Sequence, residues 1–347
     1  MRLQIGFGRP ANTMHLRDRK PLQVLITVDT ETWPRREAWR DEQLAGDIQR
    51  DIYGATPEGK FGLEFQCGML RDHGLKAVFF VETLFASVVG LPPLRRIVET
   101  VRSYEGQTVE LHAHPEWTRH FPPPGLLAGQ RYQHFHQLAV KEQIALLGLA
   151  SKNLRDSGVA QIRGFRAGNY GANLDTCRAL AAVGIPFDFS YDAAFPGSSC
   201  MLPLAARLSQ PAPLGGVIEV PTSVFEDYPG HIRHAQLCGS SFAEMRRALN
   251  QAWRQGWSYF VILSHSFELI KRSRRADCLG RLNPMALSRM EKLCRFLKEE
   301  DGRFETVGCE ALEEGRLDTL TAGAPLRGSW WNTAVRCAEQ AWGRLSR

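Results

Sequence analysis

The stretch Val109-Glu110-Leu111-His112-Ala113-His114-Pro115 reads as a short strand that ends in two imidazoles one residue apart. Successive side chains on a strand point to opposite faces, so His112 and His114 share a side. Two histidines aimed at one point suit a metal, because neutral imidazole is a good zinc ligand. A second stretch has the same form. Leu22 to Val28 is nearly all apolar or β-branched and runs into Asp29-Thr30-Glu31, which sets two carboxylates on one face by the same alternation. Either pair alone is compatible with a solvated loop mouth. Both together, each after an apolar strand, predict the site of a metal-dependent hydrolase.

Strand and helix patterns alternate outward from these two runs. The polar stretch from Pro34 to about Lys60 is too long for an ordinary βα connection and reads as a loop over the site. Phe61 to His73 has helical spacing closed by Gly74, Ala77 to Val81 reads as a buried strand, and Leu94 to Ser103 as a helix. Past the histidines comes a Pro- and His-rich loop, Pro115 to Gln130, and a long helix pattern from Phe135 to Ser157. A strand near Ile162 to Phe165, a helix from Asn173 to Val183 and strands at Ile185 to Ser190 and Gly216 to Val220 follow. The series closes with a helix (Phe242 to Gln255), a strand (Tyr259 to Leu263), a helix (Pro284 to Glu299) and a strand (Phe304 to Val307).

Seven or eight such units predict an α/β protein, either a parallel barrel or a doubly wound sheet. Polar stations follow five of the strands: Asp29/Glu31, His112/His114, Arg166, Asp188 and His265. In a barrel all strand C-termini converge on one mouth, whereas an open sheet would leave the first and last stations apart. The barrel is therefore expected.

Composition narrows the function. At 347 residues and 44% hydrophobic, the chain can bury one barrel or two ordinary domains. A formal charge of +6 is too mild and dispersed for a nucleic-acid footprint, though it would tolerate an anionic substrate. Eight cysteines lie singly with no C-x-x-C pair, as in a reduced cytosolic protein rather than a disulfide frame. Residues 1–21 contain no apolar stretch of signal-peptide length, and no segment reaches the ~20 apolar residues that span a bilayer. A cytoplasmic protein is expected, with an N-terminal extension (1–21), a barrel (22–310) and a C-terminal extension (311–347).

The ordered set T-V-D-T-E-T, H-A-H-P-E-W, F-R-A-G-N-Y-G, D-F-S and L-S-H-S resembles the five motifs of the polysaccharide deacetylases, the NodB-homology proteins of carbohydrate esterase family four. The stretch Gly74-Leu75-Lys76-Ala77-Val78-Phe79-Phe80 is similar to that family's second strand, and the likeness runs over about residues 22 to 308. It implies a distorted (β/α)7 barrel and metal-dependent removal of acetyl groups, as amide or ester, from a sugar or glycan intermediate. Asp29 falls on the general base. The usual next residue, an aspartate ligand, is Thr30 here, and Glu31 takes the ligand place that some members put two positions after the base. The second histidine comes two after the first where the family commonly has four, so the ligand set is Glu31, His112 and His114, with Glu116 as substitute for His114. The resemblance further implies that Arg166 holds the base and that His265 protonates the leaving group. It makes Asp188 the acid that orients His265, with Asp192 as competitor, and gives Leu263 and Tyr170 contact with substrate. Zinc is the expected metal.

Trp33 and Trp117, beside the acid and histidine motifs, are candidates to stack on a sugar ring; closing the barrel rim is the alternative. H-A-H-P-E-W also looks a little like a signature of some retaining glycosidases, and a non-catalytic carbohydrate-binding relative is a third reading. Beyond the motifs, Trp331, Val335, Ala338, Trp342 and Leu345 recur at helical spacing, with Arg336, Arg344 and Arg347 among the polar positions. Such a helix either packs on the barrel's outer helices or makes weak peripheral contact with the inner face of a membrane.

Overall fold

The computed structural model describes residues 19–32, 34, 39–121, 131–195, 197, 199–202, 207–271, 279–314 and 325–345, with 313–314 and 342–345 described by backbone alone. Trp33 lies outside the described residues, as do 1–18 and 122–130. Among the described residues seven strands form one parallel row: β1 (Leu22–Thr30), β2 (Ala77–Glu82), β3 (Gln107–Ala113), β4 (Gly164–Ala167), β5 (Phe187–Asp188), β6 (Val217–Glu219) and β7 (Tyr259–His265). Their order is β7-β1-β2-β3-β4-β5-β6, and a last short strand, β8 (Phe304–Thr306), pairs beside the start of β1. Between β6 and β7 no regular ladder forms. Instead Ser223 N–H donates to the Val261 carbonyl at 3.3 Å, Leu237 N–H to Leu263 at 3.0 Å, and Leu263 N–H to Ala235 at 2.9 Å. The sheet thus curls into a distorted barrel with one irregular seam.

Alternation along the strands sorts their side chains into two cores. Leu25, Val78, Phe80, Phe187, Phe189, Val220 and Val261 fill the barrel interior. Val24, Ile26, Val28, Phe79, Leu111 and Phe165 face outward and pack under helices. Both faces are covered, which is why these strands read as near-continuous apolar runs. The covering helices include α1 (Leu63–Asp72), α2 (Pro92–Arg102), α3 (Val140–Asp156), α4 (Leu174–Val183), α5 (Phe242–Gln255), α6 (Pro284–Glu299) and α7 (Trp330–Leu345). Their ends carry physical stop signals. The Asn173 side chain accepts from Thr176 N–H at 3.0 Å to start α4; Ser241 and Glu244 form a capping box on α5, which ends on left-handed Gly256 at φ 76°.

Two regions differ from their sequence reading. Within 34–60, the described run 39–60 is no open loop: helical turns at Asp41–Gln43, Leu44–Asp47 and Ile48–Ile52 lead into a small hairpin of Ala55–Thr56 and Gly59–Lys60. Leu44, Ile48 and Ile52 recur every fourth residue, are buried, and were masked in the sequence by the charges between them. Trp39 joins them, donating from Nε1 to Asp47 Oδ2 at 2.7 Å.

The C-terminal helix α7 is the second. Arg336, read as a polar-face residue, is 3% exposed; its Nη2 donates to Asp227 Oδ2 at 2.9 Å and its Nε to Glu244 Oε1 at 3.1 Å. Trp331 and Val335, on the apolar stripe, are 63% and 51% exposed, and Ala338 is exposed as well. The polar side docks and the apolar side faces out, so packing of the stripe onto the barrel is excluded for these three residues. The side chains of Trp342, Arg344 and Leu345, and Arg347 entirely, lie outside the description. Among the described residues no helix is long and apolar enough to cross a membrane.

Candidate active site

Inward-facing positions at the C-terminal ends of four strands converge. From β1 come Asp29 and, just beyond it, Glu31; from β3, His112 and the following His114; from β4, Arg166; from β7, His265. Glu31 Oε2 lies 2.8 Å from His112 Nε2 and 2.6 Å from His114 Nε2. His112 Nδ1 donates to the Arg166 carbonyl at 2.8 Å, which turns its Nε2 toward the Glu31 carboxylate. At 2.6–2.8 Å a proton or a metal ion must mediate between carboxylate and imidazole. A divalent metal on Glu31, His112 and His114, whose ligand atoms all lie within 4.8 Å of one another, satisfies the requirement, and two nitrogens with one oxygen suit zinc. Without metal, protons take that place. Burial would lower the His114 imidazole, but Glu31 and then Glu116 hold it well above its ordinary value. Burial would likewise raise Glu31, and the two imidazoles hold it well below.

Arg166 is fully buried and spends its donors on the site. Nη1 donates to Asp29 Oδ1 at 2.6 Å, Nη2 to Thr27 Oγ1 at 2.9 Å, and Nε to the Phe189 carbonyl at 3.2 Å. Its guanidinium lies over the Phe80 ring at 4.5 Å. Asp29 is thereby fixed in orientation, with Oδ2 turned 3.9 Å from His265 Nε2; that same nitrogen stands 3.9 Å from Glu31 Oε1. A cavity of 250 Å³ is lined by Asp29, Glu31, His112, His114 and His265, together with Tyr170.

The residue that orients His265 is not Asp188. Phe187 and Phe189 point into the barrel, so Asp188 between them points out, toward Cys177 of α4 at 3.9 Å. There it accepts from Ser190 N–H at 3.1 Å and shares a hydrogen bond with Glu219. Cys177, Asp188 and Glu219 are all buried, and burial drives the thiol far up, leaving a neutral group that binds metal poorly. His265 Nδ1 instead donates to Glu268 Oε1 at 2.9 Å, and Glu268 Oε2 accepts from Cys238 N–H at 2.8 Å. Burial would lower His265, but the Glu268 bond, then Asp29 and Glu31, raise it to about 8. Asp192 is taken by His234 Nδ1 at 2.9 Å; His234 Nε2 lies 2.8 Å from Gln236 Oε1, and Gln236 in turn donates to Glu268. Sequence reading missed Glu268, although an acid three residues after His265 was a usable signal. It also missed Glu82, which accepts from His114 N–H at 2.6 Å and so holds the strand end that carries the ligand.

Other expectations for the mouth divide. Tyr170 lines the cavity; it and Asn169 have φ of 55° and 54°, a left-handed conformation that costs free energy for side chains of this size. Leu263 is 1% exposed, lies one inward position below His265, and does not line the cavity. Trp117 is fully buried, donates to the Thr32 carbonyl at 3.2 Å and packs edge-on to Trp39 at 5.2 Å, so it closes the rim rather than stacking on a ligand. Glu116 stands beside the triad: Oε2 is 3.4 Å from His114 Nδ1, and Oε1 accepts from Asn169 Nδ2 at 2.8 Å.

No family model matches the sequence, and no curated protein matches it. Among solved structures, one described as a "putative polysaccharide deacetylase" from Mycobacterium smegmatis is similar over 92% of this chain and 99% of its own, at 18% identity and TM-score 0.56. Weaker likenesses are a family 4 carbohydrate esterase from Streptomyces lividans (12% identity, 83% and 92% covered, TM-score 0.42) and a CE4 family pseudoenzyme from Bacillus anthracis (11%, 90% and 70%, TM-score 0.41). The chain has the polysaccharide deacetylase fold, a distorted barrel whose parallel strands deliver acids and histidines to one mouth.

Proposed function

We propose that this chain is a metal-dependent deacetylase that hydrolyses the acetyl amide, or ester, of a sugar or glycan intermediate. The observation that carries the reading is the placement of an Arg166-held carboxylate and a Glu268-held imidazole side by side at the edge of one three-ligand cluster. A divalent cation there, zinc by the donor set, supplies Lewis-acid polarisation of the acyl carbonyl and a water of lowered pKa. Asp29 accepts the proton of the attacking water through Oδ2, the oxygen that Arg166 leaves open. His265, protonated at neutral pH, donates from Nε2 to the leaving nitrogen, which departs poorly as an anion. Glu268 keeps that imidazole charged and turned toward the cavity.

A retaining glycosidase would need a second carboxylate free to attack the sugar. The acids lining this cavity are Asp29 and Glu31, one tied to Arg166 and the other to two imidazoles, which favours acyl over glycosyl chemistry. We place the enzyme in the cytoplasm, where the outward apolar side of α7 supports weak peripheral contact with the inner membrane face. The reading is tested by metal analysis with acetate release from N-acetylated sugars. About one zinc per chain is expected, strongly reduced in His112→Ala. Asp29→Asn should keep the metal and lose roughly 10²–10⁴-fold in turnover. Reducing-sugar release without acetate, or full zinc in His112→Ala, contradicts it.

A further inference from the structure

A second cavity, of 460 Å³, shares Glu31, His114 and Asn169 with the catalytic one. It is large enough for a monosaccharide and begins where an acetyl group would be held. Its remaining wall is polar and carries two guanidinium groups, Arg119 and Arg131, with Gln133 and Gln137. The two acids on the same wall are already engaged. Glu31 faces both imidazoles, and Glu116 faces His114 and accepts from Asn169. Arg119 is half-buried, and among the described residues its side chain makes no hydrogen bond or ion pair. A guanidinium in a concave wall without a carboxylate partner is incompletely compensated, and its planar donors match the oxygens of a carboxylate or phosphate.

Resting on the deacetylase reading, we propose that the substrate is an acetylated sugar bearing an anionic substituent, which Arg119 receives in the second cavity, on the wall it shares with Arg131, while the acetyl group lies against Asp29 and His265 in the catalytic one. The catalytic cavity alone, at 250 Å³, holds little more than the reacting group and part of a ring, so the rest of the substrate enters the arginine-lined space. Asn169, on the wall of both, stands at the junction. Its strained left-handed backbone is what turns that amide toward Glu116 at the shared edge.

The test uses the zinc-loaded full chain and three probes: N-acetylglucosamine, N-acetylglucosamine 1-phosphate and N-acetylmuramic acid. Calorimetric affinity and acetate release are both measured. At least one anionic probe is expected to bind roughly tenfold or more tighter than the neutral sugar, because a charge-assisted bond to Arg119 is added. Whether the phosphate or the carboxylate gains more identifies the anion. In Arg119→Gln the anionic-to-neutral affinity ratio should fall about tenfold, and Arg119→Lys should restore part of it. Equal affinity for all three probes overturns the inference while acetate release leaves the deacetylase reading intact. A preference that survives Arg119→Gln also overturns it, because the anion would then be read elsewhere. Discrimination in binding without any acetate release supports the arginine subsite and contradicts deacetylation.

Discussion

At the scale of single residues, the site is a set of donors and acceptors each held by one further partner. Thr27, Phe189 and Asp29 each accept one hydrogen bond from Arg166, and Glu268 accepts one from His265. The imidazole must be protonated to act as an acid, so kcat/KM is expected to fall as pH rises through about 8. Glu268→Gln removes the largest influence holding that value up, so the alkaline limb should move to lower pH and turnover at pH 8 should drop. A pH profile of both proteins checks this. An unmoved limb would show that Glu268 only packs against the histidine.

At the scale of elements, the strand ends are aligned by close contacts that leave no slack. Gly168, just past β4, has no side chain because a Cβ there would stand 2.5 Å from His114 Cγ. Gly168→Ala is therefore expected to displace the ligand ring and weaken zinc binding by roughly 10-fold or more, while thermal stability of the metal-free protein changes far less. A competition titration with a chelator measures it, and native affinity would show that the loop relaxes freely. On the outer face, β5 and β6 set Asp188 against Glu219 with no water-exposed surface. Burial first, then the Asp188 charge, lifts the Glu219 carboxyl well above its ordinary value, so the folded state holds a proton that the unfolded chain releases. The stabilisation is complete below the ordinary carboxyl range and is lost as pH rises toward the folded value. Glu219→Gln keeps a donor toward Asp188 and an acceptor for Tyr191 N–H at every pH. Its unfolding free energy relative to the native protein should thus increase with pH, by about 1 kcal/mol or more at pH 8. Denaturant titrations at pH 5 and 8 decide; a pH-independent difference would exclude the shared proton.

At the scale of the whole molecule, α7 is fastened by its polar side and exposes its apolar one. Arg336 pairs with Asp227, which Arg233 and His231 also hold, and with Glu244, whose side chain is fully buried, so detaching the helix would leave the Glu244 carboxylate without its ion-pair partner. The outward face begins with Trp330 and Trp331, 65% and 63% exposed and stacked on each other at 4.0 Å. Indole rings favour the headgroup zone of a bilayer, and the chain's net charge of +6 favours anionic lipid. Weak, salt-sensitive sedimentation with anionic vesicles is expected, and Trp330→Ser with Trp331→Ser should abolish it without disturbing Arg336. Equal sedimentation of the native and doubly substituted chains at low salt would remove the membrane proposal.

The one-residue spacing of Asp29 with Glu31 and of His112 with His114 was enough to place each pair on one face, because side-chain direction on a strand alternates with an invariant period. Order and number of βα units followed from hydrophobic runs and from stop signals such as Gly74, which act within a few residues. Local rules stop there. Asp188 followed a strand as His265 did, yet its flanking phenylalanines claimed the interior and turned it outward. The apolar run 44, 48, 52 was hidden by charges, and the inner side of α7 was settled by Arg336 meeting two buried acids rather than by its tryptophans. Sequence determined which faces exist, since that is a property of the local backbone. Which face is buried, and which acid meets His265, depended on partners brought from distant segments, and only the tertiary structure decided them.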